Sequence, residues 1–249
     1  MTQKKRLDQL LLERGLTDTR QKAQSLILAG KVLVDDQPSV KPGHGISESS
    51  AIRVRGEEHP YVSRGGVKLE AALKEFQIDV SGKIALDVGA STGGFCHVIL
   101  LRGAIRIHAI DVGHNQMDWK IRNDPRVIVQ EKVNARYLKF DQIGEKVDLI
   151  VVDVSFISLE KILPALLPFS KESTDWVTLI KPQFEVGKDK VGKKGIVTSE
   201  SDRLEAVDRV TQFGKTLGLI PSGLIGSPIT GTEGNKEFLA HWKLKERKN

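Results

Sequence analysis

The sequence predicts an α/β fold in which a doubly wound parallel sheet follows a small α+β domain. From residue 83 onward, short apolar runs of β type alternate with helical stretches, and this order implies a parallel sheet with helices on both faces. The runs are apolar throughout rather than at every second residue, as expected for strands buried on both faces. Residues 5–56 instead combine two short helices with small strands, which indicates a separate unit.

The composition is that of an ordinary globular protein, with 39% hydrophobic and 28% charged residues in a chain of 249. We predict domains at 1–58 and 64–249, joined by a polar linker at 59–63. No apolar run approaches the roughly 18 residues of a membrane span, and no apolar segment follows the basic N-terminus as in a secretory signal. With Cys96 as the single cysteine, these features predict a cytoplasmic protein without disulfides or membrane association. The sequence indicates no metal site and no protein partner.

The first unit is expected to contain two helices and two strands. Leucines at helical spacing predict a helix that starts near Leu7 and that Gly15 ends. A second helix is expected at 19–29, capped by Thr17 or Asp18. Residues 31–37 are predicted to be a strand that runs into a turn, and residues 52–54 a short closing strand.

Positive charge is concentrated near the N-terminus. The whole chain carries a formal net charge of +6, and residues 1–34 account for +4, with seven basic against three acidic residues. A basic surface of this kind favours a polyanionic partner such as a nucleic acid. The alternative is a pair of solvated helix faces that happen to be basic. The basic residues of this segment are Lys4, Lys5, Arg6, Arg14, Arg20, Lys22 and Lys31.

The second domain is predicted to alternate strands with helices. A helix over 67–76 follows a turn that contains Arg64, and a long helix spans 200–217. The predicted strands are 84–88, 105–110, 127–130, 147–152, 176–180, 219–225 and 237–244, and the remaining helices are 95–102 and 158–166.

The strand at 84–88 runs into a glycine-rich turn and then a helix, an arrangement typical of a cofactor site. Glycines allow a ligand to approach the backbone and allow positive φ in a tight turn. The spacing from Gly89 is G-x-x-x-G-G rather than the G-x-G-x-x-G of dinucleotide enzymes, and Asp87 stands at the strand end. An acid there suits the amino group of S-adenosylmethionine better than a pyrophosphate. The residues expected to bind this cofactor are Asp87, Gly89, Ala90, Ser91, Thr92, Gly93, Gly94 and Phe95.

Two polar residues after the next strands extend this predicted site. Asp111 ends the strand at 105–110, where a carboxylate can accept hydrogen bonds from both hydroxyls of a ribose. The alternative is that Asp111 only caps a turn. Asn134 follows the strand at 127–130 and is expected to neighbour the adenine.

Four charged residues occupy positions where an apolar or neutral side chain is ordinarily expected: Lys68, Asp153, Lys181 and Glu237. Any one of them alone is readily explained as a member of an ion pair. Asp153 and Lys181, however, each terminate a buried strand, and the carboxyl edge of a doubly wound sheet is where such folds bind ligands. We therefore predict a catalytic group composed of these four residues.

Several motifs resemble known families. The stretch from Arg6 to Asp35 resembles the S4 RNA-binding domain, and the order Lys, Asp, Lys, Glu resembles the K-D-K-E tetrad of the FtsJ-like RNA 2′-O-methyltransferases. Together they make the chain resemble the TlyA family, whose members are often labelled hemolysins. The motifs that carry this resemblance are Ser63–Leu69, Asp87–Phe95, Asp153–Leu159 and Lys181–Glu185.

The resemblance implies a Rossmann-like methyltransferase domain that uses S-adenosylmethionine. It also implies methyl transfer to a ribose 2′-hydroxyl in ribosomal RNA or a ribosomal subunit. The linker departs from the family pattern, because His59-Pro-Tyr-Val62 stands where the family has an arginine and a tryptophan. A linker-based communication between the domains is therefore not carried over to this chain.

A ribose hydroxyl is a weak nucleophile that must lose its proton during or after attack. We expect Lys181 to accept or orient that proton, while Asp153 and Glu237 fix the lysines. Lysines in the glycine-rich loop 187–195 are expected to follow an RNA backbone, the alternative being a mobile solvated loop. The RNA-binding residues predicted in this domain are Arg64, Lys188, Lys190, Lys193 and Lys194.

Three other functions remain open from the sequence alone. The first is methyl transfer to another acceptor, such as a small molecule. The second is a noncatalytic RNA-binding or ribosome-associated factor that retains the fold. The third, a membrane-active hemolysin, lacks support from any amphipathic or spanning segment in the sequence.

Overall fold

The computed structural model describes residues 4–17, 19–39, 41–54, 59–231 and 234–245. The chain divides into two compact units, residues 1–58 and residues 59–249. None of the helices in the described part of the chain combines the length and the apolar character needed to cross a bilayer.

The first unit packs two helices against short antiparallel strands. Strand β1 pairs with β4, and β2 lies between β3 and β5. Leu7, Leu11 and Ile27 from the two helices are fully buried and form the centre of its core. The elements are β1 (Lys4–Arg6), α1 (Leu7–Glu13), α2 (Arg20–Leu28), β2 (Val32–Val34), β3 (Gln37–Ser39), β4 (Gly45–Ser47) and β5 (Ile52–Val54).

The cap of α2 differs from the expectation. Thr19 is the N-cap, since its hydroxyl accepts a hydrogen bond from the backbone N–H of Lys22 at 3.2 Å. A side chain caps best from the residue directly before the first helical turn, and α2 begins one residue later than predicted. The predicted cap Thr17 is therefore wrong, and its alternative, Asp18, lies outside the described residues.

The second unit is a seven-stranded sheet covered by helices, which confirms the predicted doubly wound α/β fold. Its helices are α3 (Gly65–Glu75), α4 (Gly94–Leu101), α5 (Trp119–Arg122), α6 (Phe140–Ile143), α7 (Leu163–Leu166), α8 (Pro182–Glu185) and α9 (Glu200–Thr216). Its strands are β6 (Ile84–Val88), β7 (Arg106–Ile110), β8 (Val127–Gln130), β9 (Val147–Val152), β10 (Ser170–Ile180), β11 (Leu219–Gly226) and β12 (Phe238–Leu244).

The strand order determines where a ligand can bind. The order is β11-β12-β10-β9-β6-β7-β8, and β12 runs antiparallel to both of its neighbours while the other pairs are parallel. The chain leaves β6 toward β7 and β8 and later returns to place β9 on the other side of β6. The crevice at the carboxyl ends of β6 and β9 is thus the topological switch point, the usual ligand site of such sheets.

Two predicted elements have different bounds in the structure. The helix predicted at 158–166 is broken into a 3₁₀ turn, Leu159–Lys161, and the short α7, which carries Pro164 at its second position. Strand β10 begins at Ser170 rather than residue 176, because Thr174 donates a hydrogen bond to the carbonyl of Val147 at 2.6 Å and holds the polar half of the strand against β9.

The segment predicted as a linker packs against the second unit. Tyr61 and Val62 contact its core, and the backbone N–H of Val62 donates to Nδ1 of His97 at 3.1 Å. Gly66 provides the space for the Tyr61 ring, since a Cβ at position 66 would lie 2.3 Å from Cγ of Tyr61. These contacts fix the chain immediately before α3.

A buried ion cluster stabilises the amino edge of this sheet. Asp175 on β10 accepts a hydrogen bond from Nε2 of His241 at 2.8 Å and contacts Nζ of Lys243 at 2.5 Å. Burial acts to raise the pKa of Asp175, but these partners, together with Lys83, lower it to about 2.

Asp175→Asn is expected to lower the free energy of unfolding of the second unit by about 2 kcal/mol at pH 7. A carboxyl whose pKa is depressed by folding contributes stability above its unfolded pKa, and that contribution is lost as the pH falls through 4 toward 2. Urea unfolding followed by tryptophan fluorescence measures the difference, since all three tryptophans lie in this unit. A deficit of the same size at pH 3 and pH 7 would contradict the assignment to ionised Asp175.

Candidate active site

A cavity of about 890 Å³ lies at the carboxyl edge of the sheet, over the switch point between β6 and β9. All four residues of the predicted catalytic group contribute to its lining: Lys68, Asp153, Lys181 and Glu237. They come from four segments that are far apart in sequence. The structure therefore brings together the whole predicted group.

The four side chains form two ion pairs. Nζ of Lys68 donates to Oε2 of Glu237 at 2.6 Å, and Nζ of Lys181 lies 2.6 Å from Oδ1 of Asp153. The directed hydrogen bond of the Lys181 ammonium goes to Oγ of Ser155 at 2.8 Å. Each lysine side chain is only 10% exposed, so both cations are held in fixed positions next to carboxylates. Pairing of this kind offsets the cost of burying each charge.

The topology explains why these residues meet. Asp153 follows β9, and its backbone N–H donates to the carbonyl of Val88 at the end of β6 at 2.9 Å. Lys181 follows the parallel strand β10 at the same edge. Glu237 precedes β12 rather than beginning it as predicted, and because β12 is antiparallel, its start lies beside the ends of the parallel strands.

The glycine-rich turn after β6 forms a wall of the same cavity. Gly89 has φ of +86°, and a Cβ there would lie 2.3 Å from the carbonyl oxygen of Asp153. A side chain at this position would therefore push the turn away from the Asp153 backbone. Gly93 has φ of +90° and forms the N-cap of α4 without lining the cavity. The other predicted turn residues that line this cavity are Ala90, Ser91, Thr92, Gly94 and Phe95.

A second cavity of about 460 Å³ adjoins the first and contains the predicted ribose site. Asp111 lines it, with Oδ2 accepting from the backbone N–H of Ser91 at 2.7 Å and Oδ1 accepting from that of Gly113 at 2.6 Å. Asp111 therefore caps a turn and also faces a cavity. Asn134 lines the same cavity, and its Oδ1 accepts from the N–H of Arg136 at 3.1 Å, which leaves its amide NH₂ for a ligand.

Asp87 lies apart from both cavities. It is fully buried beneath the glycine-rich turn, where the thiol of Cys96 donates to its Oδ2 at 3.0 Å. Its Oδ1 has no hydrogen-bond partner among the described residues. Burial raises the pKa of Asp87 to about 7, although the Cys96 bond acts in the opposite direction. A direct contact between Asp87 and a cofactor amino group stays a prediction.

Comparison with known proteins decides the family. The sequence model of the FtsJ-like methyltransferases matches residues 61–244, and that of the S4 domain matches residues 5–52. The chain belongs to the FtsJ-like methyltransferases. The predicted resemblance is thereby confirmed for both parts of the chain.

Individual relatives of this FtsJ-like methyltransferase extend over nearly its full length. The 16S/23S rRNA (cytidine-2′-O)-methyltransferase TlyA of Mycobacterium tuberculosis is 47% identical over 96% of this chain and 89% of its own. Hemolysin A of Brachyspira hyodysenteriae is 41% identical over 95% of this chain and 99% of its own. A solved structure from Streptococcus thermophilus, assigned as a hemolysin, superposes with a TM-score of 0.77 at 41% identity and covers 99% of this chain and 90% of that one.

Sequence reasoning missed two residues of the FtsJ-like site, Ser155 and Phe156. Both line the two cavities. Phe156 has φ of +64° and is 91% exposed, and its ring lies 5.2 Å from that of Phe184. In the sequence, Phe156 belongs to an apolar run that suggests a core position, so no local signal distinguishes it.

The loop that carries these two residues is tied to α8. Oε2 of Glu185 accepts from the hydroxyl of Ser158 at 2.6 Å, and Oε1 accepts from the N–H of Leu159 at 2.9 Å. Glu185 is buried, and burial raises its pKa. Together with the Lys181–Ser155 bond, these contacts fix both ends of the loop against the segment that follows β10.

The basic residues predicted to bind RNA in the FtsJ-like domain have different surroundings. Arg64 and Lys194 line the larger cavity. Lys190 instead forms ion pairs with Asp202 and Glu205 on α9. Lys188 and Lys193 lie in the same loop as Lys190, residues 187–195, and have no ion-pair partner within the described residues.

The basic residues of the first unit also separate into groups. Lys5 pairs with Glu48 at 2.8 Å, and Arg14 donates to the carbonyls of Glu48 and Ser50. Arg6 and Arg20 both bind Asp8. The remaining predicted residues are Lys4, Lys22 and Lys31, all at least partly exposed.

Proposed function

We propose that the protein is an S-adenosylmethionine-dependent methyltransferase that acts on a ribose 2′-hydroxyl in ribosomal RNA. The observation that carries this proposal is the pair of lysine–carboxylate contacts in one cavity, directly beside a second cavity with a ribose-type carboxylate. The M. tuberculosis relative, named for cytidine-2′-O methylation of rRNA, supports the same acceptor. We also propose a cytoplasmic location, because ribosomal RNA and ribosomal subunits would be encountered there.

The residues of the two cavities fit the cofactor. Asp111 would accept the ribose hydroxyls, and the free NH₂ of Asn134 would donate to a ring nitrogen of the adenine. The cavities share Gly89, Ser91 and Asp153, so a ligand that fills the smaller one extends along the glycine turn into the larger one. When bound, the cofactor supplies an electrophilic methyl group.

The chain's own residues prepare the acceptor. Lys181 would orient the 2′-hydroxyl, and its Nζ would receive the hydroxyl proton after releasing one of its own to solvent, while Asp153 and Ser155 keep the Lys181 side chain in place. The Lys68–Glu237 pair also lines this cavity and would hold the ribose by hydrogen bonds to its oxygens. Because the four charges cancel, the cavity does not repel a polyanionic substrate.

The proposal is tested by incubating the protein with radiolabelled S-adenosylmethionine and, separately, naked rRNA, ribosomal subunits and whole ribosomes. We expect label in at least one RNA, with alkali resistance that maps to a single 2′-O-methylated nucleotide. Label on a base, or on small molecules only, would reject the 2′-hydroxyl as acceptor. Cofactor binding without label in any RNA would favour the noncatalytic factor.

Phe156→Ala is expected to raise the KM for the RNA about tenfold and to change cofactor affinity by a smaller factor. An exposed ring at the mouth of both cavities provides a stacking surface for the acceptor's base, and base–aromatic stacking contributes roughly 1–3 kcal/mol. Phe156→Tyr keeps the ring and should retain the wild-type KM. Steady-state kinetics with the RNA identified above measures both, and an unchanged KM for the alanine variant would exclude stacking.

A further inference from the structure

The first unit contains a buried carboxylate surrounded by donors. Asp8 is fully buried, and its oxygens accept bonds from Nε and Nη2 of Arg6, both at 3.0 Å. Nε of Arg20 at 2.9 Å and Nε2 of Gln24 at 3.0 Å complete the set. These bonds, with that of Arg6 the strongest, hold the pKa of Asp8 far below its usual range despite burial. Asp8 is therefore held as a carboxylate, the anionic partner of both arginines.

The two arginines that bind Asp8 remain accessible. Their side chains are 46% and 50% exposed. Nη2 of Arg6 and Nε of Arg20 share a single oxygen of Asp8, so the two guanidinium groups lie side by side. Nη1 of Arg6 and both Nη groups of Arg20 make no hydrogen bond within the described residues. The group as a whole carries two positive charges and one negative charge.

This arrangement distinguishes Arg6 and Arg20 from the other predicted RNA-binding residues of the unit. Lys5 contacts both Glu13 and Glu48, and both Nη groups of Arg14 donate to backbone carbonyls, so neither residue has the unused Nη groups of Arg6 and Arg20. Gly43 lies over Arg6, where a Cβ would be 3.2 Å from Nη1, so the absence of a side chain keeps that nitrogen open. The unused N–H donors of two adjacent guanidinium groups can each bond to an oxygen of one phosphate. The surplus positive charge of the group favours the same anion.

We propose that Arg6 and Arg20 form one phosphate-binding fork for the backbone of the RNA substrate, and that buried Asp8 is the positioning residue that holds the fork open. The proposal rests on the proposed function, because it takes RNA as the ligand. By this proposal the acidic Asp8 strengthens the binding of a polyanion. Net charge alone predicts that removing Asp8 would strengthen RNA binding, so the two views predict opposite changes in affinity.

The test compares Asp8→Asn with wild type by filter binding of the full-length protein to purified ribosomal RNA over a range of salt concentrations. Removal of a negative charge should tighten binding if only net charge matters. We expect weaker binding instead, by about tenfold, because the arginines lose their shared acceptor and become disordered. The slope of log K against log salt should fall by about one, as for the loss of one phosphate contact.

The matched control is Asp36→Asn, which makes the same charge change in the same unit. Among the described residues, the side chain of Asp36 forms an exposed ion pair with Arg53 and no other ion pair. Its replacement should leave RNA affinity unchanged or slightly raised. If the Asp8→Asn protein binds RNA as tightly as the wild type or the control variant does, the proposal is overturned.

Two further measurements separate positioning from misfolding. In the background Arg6→Ala/Arg20→Ala, addition of Asp8→Asn should cause no further loss of affinity, whereas full additivity contradicts action through the arginines. If circular dichroism shows that the Asp8→Asn substitution unfolds the unit, the Arg20→Lys variant is tested instead. Lysine keeps the positive charge of Arg20 but lacks the forked guanidinium group. A loss of about threefold or more then supports the proposal, and unchanged affinity overturns it. Absence of methyl transfer by the wild-type protein would instead count against the proposed function.

Discussion

Lys181→Ala should reduce the rate of methyl transfer by about 10²–10⁴-fold, the range associated with a lost general acid–base group. Its Nζ is held between Asp153 and Ser155 in the cavity, and alanine removes both the group that orients the 2′-hydroxyl and the proposed acceptor of its proton. Cofactor affinity should change little, because neither Asp111 nor the glycine-rich turn forms a hydrogen bond or ion pair with Lys181. Single-turnover kinetics measures the rate, and calorimetric titration with S-adenosylmethionine measures the affinity.

Lys161→Ala is the appropriate control for this variant. Lys161 is exposed in the 3₁₀ turn beyond the loop and lies outside both cavities. It should retain wild-type rate and affinity. Because Lys181→Ala leaves Asp153 unpaired, its thermal unfolding must be recorded as well. Full activity in a folded Lys181→Ala protein would remove Lys181 from the catalytic group.

Asp87→Asn is expected to stabilise the protein by up to about 4 kcal/mol at pH 8 and to have little effect at pH 4. Burial raises the pKa of Asp87 from an ordinary 3.8 to about 7. Between these values the folded state retains a proton that the unfolded chain has lost. Stability of the wild type therefore falls as the pH rises from 4 to 7 and levels off above 7. Asparagine does not titrate, so the variant avoids this fall in stability, and its side-chain carbonyl can still accept the hydrogen bond from the Cys96 thiol.

Urea unfolding at pH 5 and pH 8, followed by tryptophan fluorescence, measures this difference. The useful quantity is the gap in stability between variant and wild type, because the titration of all other groups cancels. Asp141→Asn serves as control, since Asp141 is exposed on α6 and should show no pH-dependent gap. A gap for Asp87→Asn that stays constant between pH 5 and pH 8 would contradict a raised pKa.

The expectations that succeeded rest on local signals. Strands β6, β8 and β9 have the predicted bounds because each is a short, mainly apolar run between polar turns. The positions of Asp153 and Lys181 at the edge of the sheet were also predictable, because each residue directly follows a buried strand. The break in the predicted helix 158–166 and the early start of β10 were missed, because each depends on contacts with other segments.

The sequence alone predicted a two-part organisation, the sheet with its glycine-rich turn, and the four charged residues that meet in the larger cavity. These features follow from periodicity and from residue types at strand ends, which are properties of short segments. Only the tertiary structure decided the pairings. Lys68 bonds to Glu237 across 169 positions, and Asp8 on α1 bonds to Arg20 on α2 across 12 positions. It also decided that Phe156 is exposed and Asp87 buried, because burial depends on which segments pack together, and no single segment contains that information.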